Sequence, residues 1–198
     1  MTKRPKDVVF LLGPSGAGKT FLAELLQGAA RLVHIRIDRY PEGDGIDLEN
    51  LRSEWDAFWL GGDASGLAAE LRERAEAGGH AGVVLSFPSR CVIPPERIVV
   101  AEREGITTCL LFGPGEACRE AFVSHERASA VPRVSGDPVL HWEANNRSQY
   151  QAFSHPAYDS VRLPTFEEGK RVQPQDLLRA IRFRLSRRAS PLVRPHSV

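Results

Sequence analysis

The chain has 198 residues, 42% of them hydrophobic, and a formal net charge of +1. This length suits one α/β domain with a substantial core, and the near-neutral charge gives no strong case for a nucleic-acid or anionic-membrane partner. The three cysteines, Cys91, Cys109 and Cys118, form no C-x-x-C pair, which argues against a disulfide framework or a zinc site. No apolar run has the length of a membrane span, and the first one leads into a glycine-rich loop, so we expect a strand there rather than a signal peptide. We therefore expect a cytoplasmic protein.

Strand-like and helix-like segments alternate along the chain, which predicts a parallel sheet with helices on both faces. A stretch rich in Pro, Gly and Ser over 131–138 is predicted to be mobile, and 139–153 has mixed helical character. Without repeats or linkers we expect a single domain over 1–189, followed by a disordered tail over 190–198. The predicted strands are Val8–Leu12, Leu32–Ile37, Gly82–Phe87, Ile106–Phe112 and Tyr158–Leu163. The predicted helices are about Gly18–Ala29, Asp47–Leu60, Ser65–Ala77, Pro95–Glu104, Glu116–Ser129 and Pro174–Arg187.

The most specific motif follows the first predicted strand and matches G-x-x-x-x-G-K-[ST], the phosphate-binding loop pattern. A glycine loop between a strand and a helix brings backbone N–H groups and a helix N-terminus together around an anion. Lys19 is predicted to neutralise the β- and γ-phosphates of ATP, and the Thr20 hydroxyl is predicted to bind Mg²⁺. The motif consists of Gly13, Pro14, Ser15, Gly16, Ala17, Gly18, Lys19 and Thr20.

The phosphate loop indicates the ligand class but not the reaction, and three interpretations compete. They are a small-molecule kinase, a nucleoside triphosphate hydrolase acting as a motor or switch, and a nucleotide-binding module without turnover. The third predicted strand ends in Ser86 and Phe87, whereas motor ATPases usually end this strand in an acid. The N-K-x-D element of switch GTPases is also absent from the sequence. Both observations favour the kinase, although binding without turnover stays open.

Asp38 follows the second predicted strand, at the sheet edge where open α/β folds place ligands. Phosphoryl transfer to a hydroxyl needs a carboxylate that orients the acceptor and accepts its proton beside Mg²⁺. Asp38 is the candidate for this role, but an aspartate after a strand can also cap a turn.

Together these features resemble the compact P-loop kinases of the shikimate and gluconate kinase type. The resemblance rests on residues 13–20, on Asp38, on Ser86 before the basic Arg90, and on the arginine-bearing stretch 119–133. It implies a three-layer α/β/α sandwich whose five parallel strands have the order 2-3-1-4-5, with a flexible lid over ATP. It also implies transfer of the γ-phosphoryl group of ATP to a hydroxyl of a small molecule.

The resemblance assigns roles to individual residues. Asp38 is expected to orient the acceptor near Mg²⁺, Arg90 to contact the acceptor, and Arg127 and Arg133 to reach the transferring phosphoryl group from the lid. Each of these arginines is equally compatible with a solvated surface charge. Arg119 is expected to face solvent. Both a monomer and a homodimer are compatible with the sequence.

Two departures from the family pattern leave the acceptor open. Shikimate kinases carry D-x-D after the second strand, whereas this chain has Asp38, Arg39 and Tyr40. Gluconate kinases place a histidine near their acid, and none lies in 38–45. Neither substrate is therefore inferred.

An apolar stripe at helical spacing follows the second strand. It could border an acceptor pocket, but a stripe of this kind is more typical of a core. Its members are Leu48, Leu51, Trp55, Phe58 and Trp59.

Overall fold

The computed structural model describes residues 5–37, 51–130, 132 and 134–189. Its main sheet has five parallel strands in the spatial order β2-β3-β1-β4-β5. The predicted strand order and the parallel pairing are confirmed. The strands are β1 (Asp7–Leu12), β2 (Leu32–Arg36), β3 (Gly82–Ser86), β4 (Ile106–Phe112) and β5 (Arg162–Pro164).

Helices cover both faces of this sheet. The described helices are α1 (Lys19–Ala30), α2 (Arg52–Asp56), α3 (Ser65–Ala77), α4 (Pro95–Arg103), α5 (Gly115–Ala128), α6 (Pro138–Phe153) and α7 (Pro174–Ala189). Helices α3 and α4 pack on one face, and α1, α5, α6 and α7 contribute to the core on the other. None of the described helices has the length and apolarity needed to cross a bilayer.

The central strand β1 supplies side chains to both faces. Val8, Phe10 and Leu12 belong to one buried cluster, and Val9 and Leu11 belong to the other. Side chains alternate along a strand, so a strand covered on both sides must be apolar throughout. Each fully buried Val, Leu or Phe side chain contributes roughly 1.5–3 kcal/mol relative to exposure. The continuous apolar run therefore places β1 at the middle of the sheet.

The aromatic rings of the stripe pack on the buried core: Phe58 lies within it, and Trp55 and Trp59 are partly buried against it. Trp55 stacks on Phe87 with 5.6 Å between ring centroids, and Trp59 stacks on Trp55 at 6.0 Å. Phe58 is fully buried and meets the ring of Phe10 edge-on at 6.2 Å. Edge-on and offset aromatic pairs of this kind add stability beyond their buried area. The core interpretation is confirmed for these rings.

The helix predicted to end near residue 60 changes its pitch in its last turn. After α2 the chain forms a π-helical turn over Ala57–Gly61. The backbone N–H of Gly62 bonds the carbonyl of Ala57, five residues back, as well as that of Phe58. Gly62 then ends the helix with a φ of 75°, a left-handed value that glycine adopts without steric cost.

The fifth strand begins later than predicted, because the apolar residues before it form a turn. Pro156 opens a 3₁₀ turn that ends at Tyr158. Tyr158 is buried, and its hydroxyl donates to the carbonyl of Ile93 at 2.9 Å. Tyr158 and Val161 therefore contribute to the core from a turn, and the strand starts at Arg162.

Two further elements differ from the sequence prediction. The stretch of mixed helical character is one continuous helix, α6, because the Asp137 carboxylate caps its N-terminus by accepting from the Val139 N–H at 2.9 Å. A small antiparallel hairpin, β6 (Phe166–Glu167) and β7 (Lys170–Arg171), lies between β5 and α7 and was not predicted.

Several predictions lie outside the described residues. They concern the acid Asp38, the lid arginine Arg133, the proposed helix start at Asp47, the apolar Leu48, and the tail over 190–198.

Candidate active site

The phosphate loop is held against the carboxyl end of β4 and the first turn of α5. Gly13, Gly16 and Gly18 have φ values of 138°, 83° and 94°, which L side chains rarely adopt. A Cβ on Gly13 would lie 2.2 Å from the carbonyl oxygen of Leu111, and one on Gly16 would lie 1.9 Å from that of Cys118. Two of the loop glycines are therefore required by packing as well as by conformation.

The loop leads into a helix N-terminus whose N–H groups are not capped by a side chain. Gly18 is the N-cap of α1, and α1 has no acidic residue in its first turn. The first N–H groups of a helix lack intrahelical partners and carry the positive end of the helix dipole. This arrangement favours an anion at the start of α1.

Lys19 lies across the same loop. Its Nζ donates to the carbonyl oxygens of Gly13 and Pro14 at 2.7 and 3.0 Å. These bonds place an ammonium charge beside the uncapped N–H groups. A phosphate at this position would therefore meet backbone donors and a cation together.

Thr20 follows Lys19 in the first turn of α1 and is half-buried. Its hydroxyl, together with phosphate oxygens, is the kind of oxygen ligand that Mg²⁺ prefers. In the part of the chain that the structure describes, no group of three or more His, Cys, Asp or Glu side chains could hold a metal ion. Thr20 stays the predicted Mg²⁺ ligand, as the phosphate-loop motif indicates.

The neighbouring strand β3 brings a hydroxyl to the same edge of the sheet. Ser86, its last residue, pairs in register with Leu11 of β1 and is buried. Its Oγ shares a hydrogen bond of 2.8 Å with Nε2 of His34, a buried residue of β2. The end of β3 thus carries a neutral hydroxyl where motor ATPases carry a carboxylate.

Comparisons with known proteins are informative at the level of structure. No protein-family model matches the chain, and no curated protein sequence is a significant match. The chain is similar to an unliganded sugar kinase from Janibacter sp. HTCC2649, with 20% identity, a TM-score of 0.52, and coverage of 92% of this chain and 95% of that one. It is also similar to shikimate kinase from Bacteroides thetaiotaomicron, with 19% identity, a TM-score of 0.51, and coverage of 91% and 98%. This chain shares the fold of these two kinases. The resemblance predicted from the sequence is confirmed at that level.

Within this kinase fold, Arg90 lies near the phosphate loop. It is exposed and follows Ser89, whose Oγ accepts a hydrogen bond from Ser15 Oγ at 3.1 Å. Since Ser15 belongs to the phosphate loop, the loop after β3 runs beside it. Arg90 is therefore placed at the edge of the candidate site.

Arg127 is not brought beside the phosphate loop. It is exposed in the last turn of α5, nine residues after Cys118, which corresponds to about 13 Å along the helix axis. Arg119, on the same helix, is half-buried in ion pairs with Glu116 and with Glu143 of α6 rather than facing solvent. Arg119 therefore ties α5 to α6.

Cys118 lies next to the phosphate loop but is not a nucleophile at neutral pH. Burial raises the pKa of its thiol to about 11, although the charges of Lys19 and Arg171 pull that pKa down. Burial likewise raises the pKa of Cys91, beside Arg90, to about 11. Both thiols are accordingly protonated at neutral pH, and only thiolates attack efficiently.

The sequence analysis missed a cation that contacts the phosphate loop. Arg171, in β7, donates from Nη2 to the carbonyl of Gly16 at 3.2 Å, and its guanidinium lies 5.1 Å from the ring centroid of Phe166. The sequence signal for this hairpin is the pair Glu168-Gly169, because glycine is favoured at the second central position of a two-residue turn. Glu168 and Gly169 both have positive φ, as the two central residues of a type I′ hairpin do.

Proposed function

We propose that this protein is an ATP-dependent phosphotransferase that moves the γ-phosphoryl group to a hydroxyl of a small molecule. The observation that carries the proposal is the uncapped start of α1, wrapped by three glycines in the left-handed region of φ and crossed by the Lys19 ammonium. The kinase fold supports the reaction class by analogy. The neutral Ser86 at the end of β3 favours transfer over motor-type hydrolysis. We further propose that the protein acts in the cytoplasm.

The proposed mechanism divides the work among named residues. The loop amides and Lys19 hold the β- and γ-phosphates and neutralise charge on their oxygens. Thr20 would hold Mg²⁺, which would offset the negative charge of the phosphates. Asp38 orients the acceptor hydroxyl and accepts its proton as the oxygen attacks phosphorus.

Arginines complete the proposed site from the acceptor side. Arg90 contacts the acceptor, and Arg127 and Arg133 reach the transferring phosphoryl group when the predicted lid closes over ATP. Arginine suits this task because its planar guanidinium donates two parallel hydrogen bonds to phosphoryl oxygens.

The test measures ATP consumption with Mg²⁺ against pools of sugars, sugar acids, nucleosides, amino alcohols and antibiotics, with Lys19→Ala as the blank. We expect one pool to stimulate turnover in the wild type only. Equal turnover with and without every pool would instead identify a hydrolase. ATP binding without turnover would identify a binding module.

A further inference from the structure

Three polar side chains join the phosphate loop to helix α6. Ser15 Oγ donates to Ser89 Oγ at 3.1 Å, and Ser89 Oγ donates to Oδ1 of Asn146 at 2.9 Å. Ser15 lies in the phosphate loop, Ser89 precedes Arg90, and Asn146 lies in the middle of α6. These two hydrogen bonds therefore connect the nucleotide side, the acceptor side and α6, the helix that follows the predicted lid.

Asn146, the buried end of this hydrogen-bond chain, constrains the orientation of the two serine hydroxyls. Asn146 is only 3% exposed, and a buried amide is costly unless it is hydrogen-bonded. Ser89 has one hydroxyl proton, so donation to Asn146 leaves its oxygen as the acceptor for Ser15. Such a chain of hydrogen bonds strengthens each member. Asn146 thus determines the direction of both hydroxyls.

We propose that Asn146 is a positioning residue that, through Ser89, holds Ser15 and the phosphate loop in the nucleotide-binding arrangement. The inference rests on the proposed function, in that the loop binds a nucleotide. It adds that α6 and the Arg90 loop are energetically coupled to the nucleotide site. Occupation of the loop then stabilises the acceptor side, and the converse holds by linkage.

The first experiment measures the affinity for Mg²⁺ and AMP-PNP, a non-hydrolysable ATP analogue, by titration calorimetry. We expect Ser89→Ala and Asn146→Ala each to weaken binding about two- to tenfold, the value of one hydrogen bond. Ser89→Thr, which keeps the hydroxyl, should bind like the wild type. The matched control is Ser154→Ala, at the C-terminal end of α6. It removes a hydroxyl that donates to the Tyr150 carbonyl at 2.9 Å. Its affinity should not change.

A double-mutant cycle separates positioning from general destabilisation. In a Ser15→Ala background the link to the loop is already broken, so Ser89→Ala should weaken nucleotide binding no further. If Ser89→Ala acted only by destabilising the fold, its loss of nucleotide affinity would add fully to that of Ser15→Ala. Additive effects, or an unchanged affinity in Ser89→Ala, would overturn the proposal. If Asn146→Ala fails to fold, Ser89→Ala carries the test, because its side chain is only half-buried.

Hydrogen exchange tests the same idea without a nucleotide. In the ligand-free protein, Ser89→Ala should speed amide exchange across residues 13–18, whereas Ser154→Ala should leave it unchanged. Unchanged exchange in Ser89→Ala would overturn the positioning role. A wild type that binds no nucleotide would instead sink the proposed function, so the two failures are distinguishable.

Discussion

The nucleotide side of the candidate site consists mainly of backbone groups, whereas its acceptor side consists of side chains. On the nucleotide side, backbone N–H groups of the phosphate loop are the main donors to a phosphate. Gly13 and Gly16 pack closely against the carbonyls of Leu111 and Cys118. On the acceptor side, the predicted contact among the described residues is the exposed side chain of Arg90. Backbone donors recognise a phosphate whatever the rest of the ligand is, whereas side chains can be exchanged without disturbing the fold. The contrast explains why the ligand class is readable from a motif and the acceptor is not.

The largest expected effect separates the two sides by chemistry. Asp38→Asn should lower phosphoryl transfer by about 10²- to 10⁴-fold while leaving nucleotide affinity unchanged, because the amide cannot accept the acceptor proton. Lys19→Ala, in contrast, should lower both phosphoryl transfer and nucleotide affinity. Single-turnover transfer and calorimetry measure the two quantities. Full transfer by Asp38→Asn would remove Asp38 from the mechanism.

The next effect tests whether the nucleotide side depends on backbone packing. Gly16→Ala adds a Cβ at 1.9 Å from a carbonyl oxygen and strains a φ of 83°, so we expect a destabilisation of about 3 kcal/mol and loss of nucleotide binding.

The matched control for that variant is Gly28→Ala, in α1, where a Cβ would meet nothing within 4 Å. This change should stabilise the protein by about 0.5–1 kcal/mol, since glycine is a poor helix former. Denaturant unfolding measures both. Equal stability of the two variants would mean that the loop is not packed as described.

A smaller effect tests the cation that reaches the loop from the hairpin. Arg171→Ala should weaken binding of Mg²⁺ and AMP-PNP about two- to fivefold, because the contact to Gly16 is solvent-exposed and screened.

Arg182→Ala is its control, since Arg182 is also exposed and also donates to a backbone carbonyl, that of Ala29 at the other end of α1. Its affinity should equal that of the wild type. If both variants lose affinity equally, Arg171 has no specific role at the loop.

The smallest effect uses the buried thiol as a probe of loop packing. With a pKa of about 11, Cys118 is almost entirely protonated at pH 8, so iodoacetamide should leave it unmodified in the folded protein. Unfolding in denaturant should expose it, and mass spectrometry of the peptide that contains it reports both states. Fast modification of the native protein would indicate a loosely packed nucleotide side.

Much of the architecture could be predicted because it follows from local patterns. The apolar run of β1, the glycines that end helices and the Gly13–Thr20 motif each act over a few residues. The start of β5 was misplaced because Tyr158 and Val161 are apolar and buried, as strand residues are, yet lie in a turn. An apolar, buried residue therefore does not by itself distinguish a strand from a buried turn.

The sequence by itself determined the phosphate loop and the alternation of strands and helices, because periodicity and backbone geometry are local properties. The order of the strands was expected only from the resemblance to compact P-loop kinases. Only the tertiary structure decided which distant side chains serve the loop. Ser15 and Ser89 are 74 residues apart, Ser89 and Asn146 are 57 apart, and Gly16 and Arg171 are 155 apart. No pattern in a single sequence links such positions, since their contact depends on how the sheet and its helices bring the chain together.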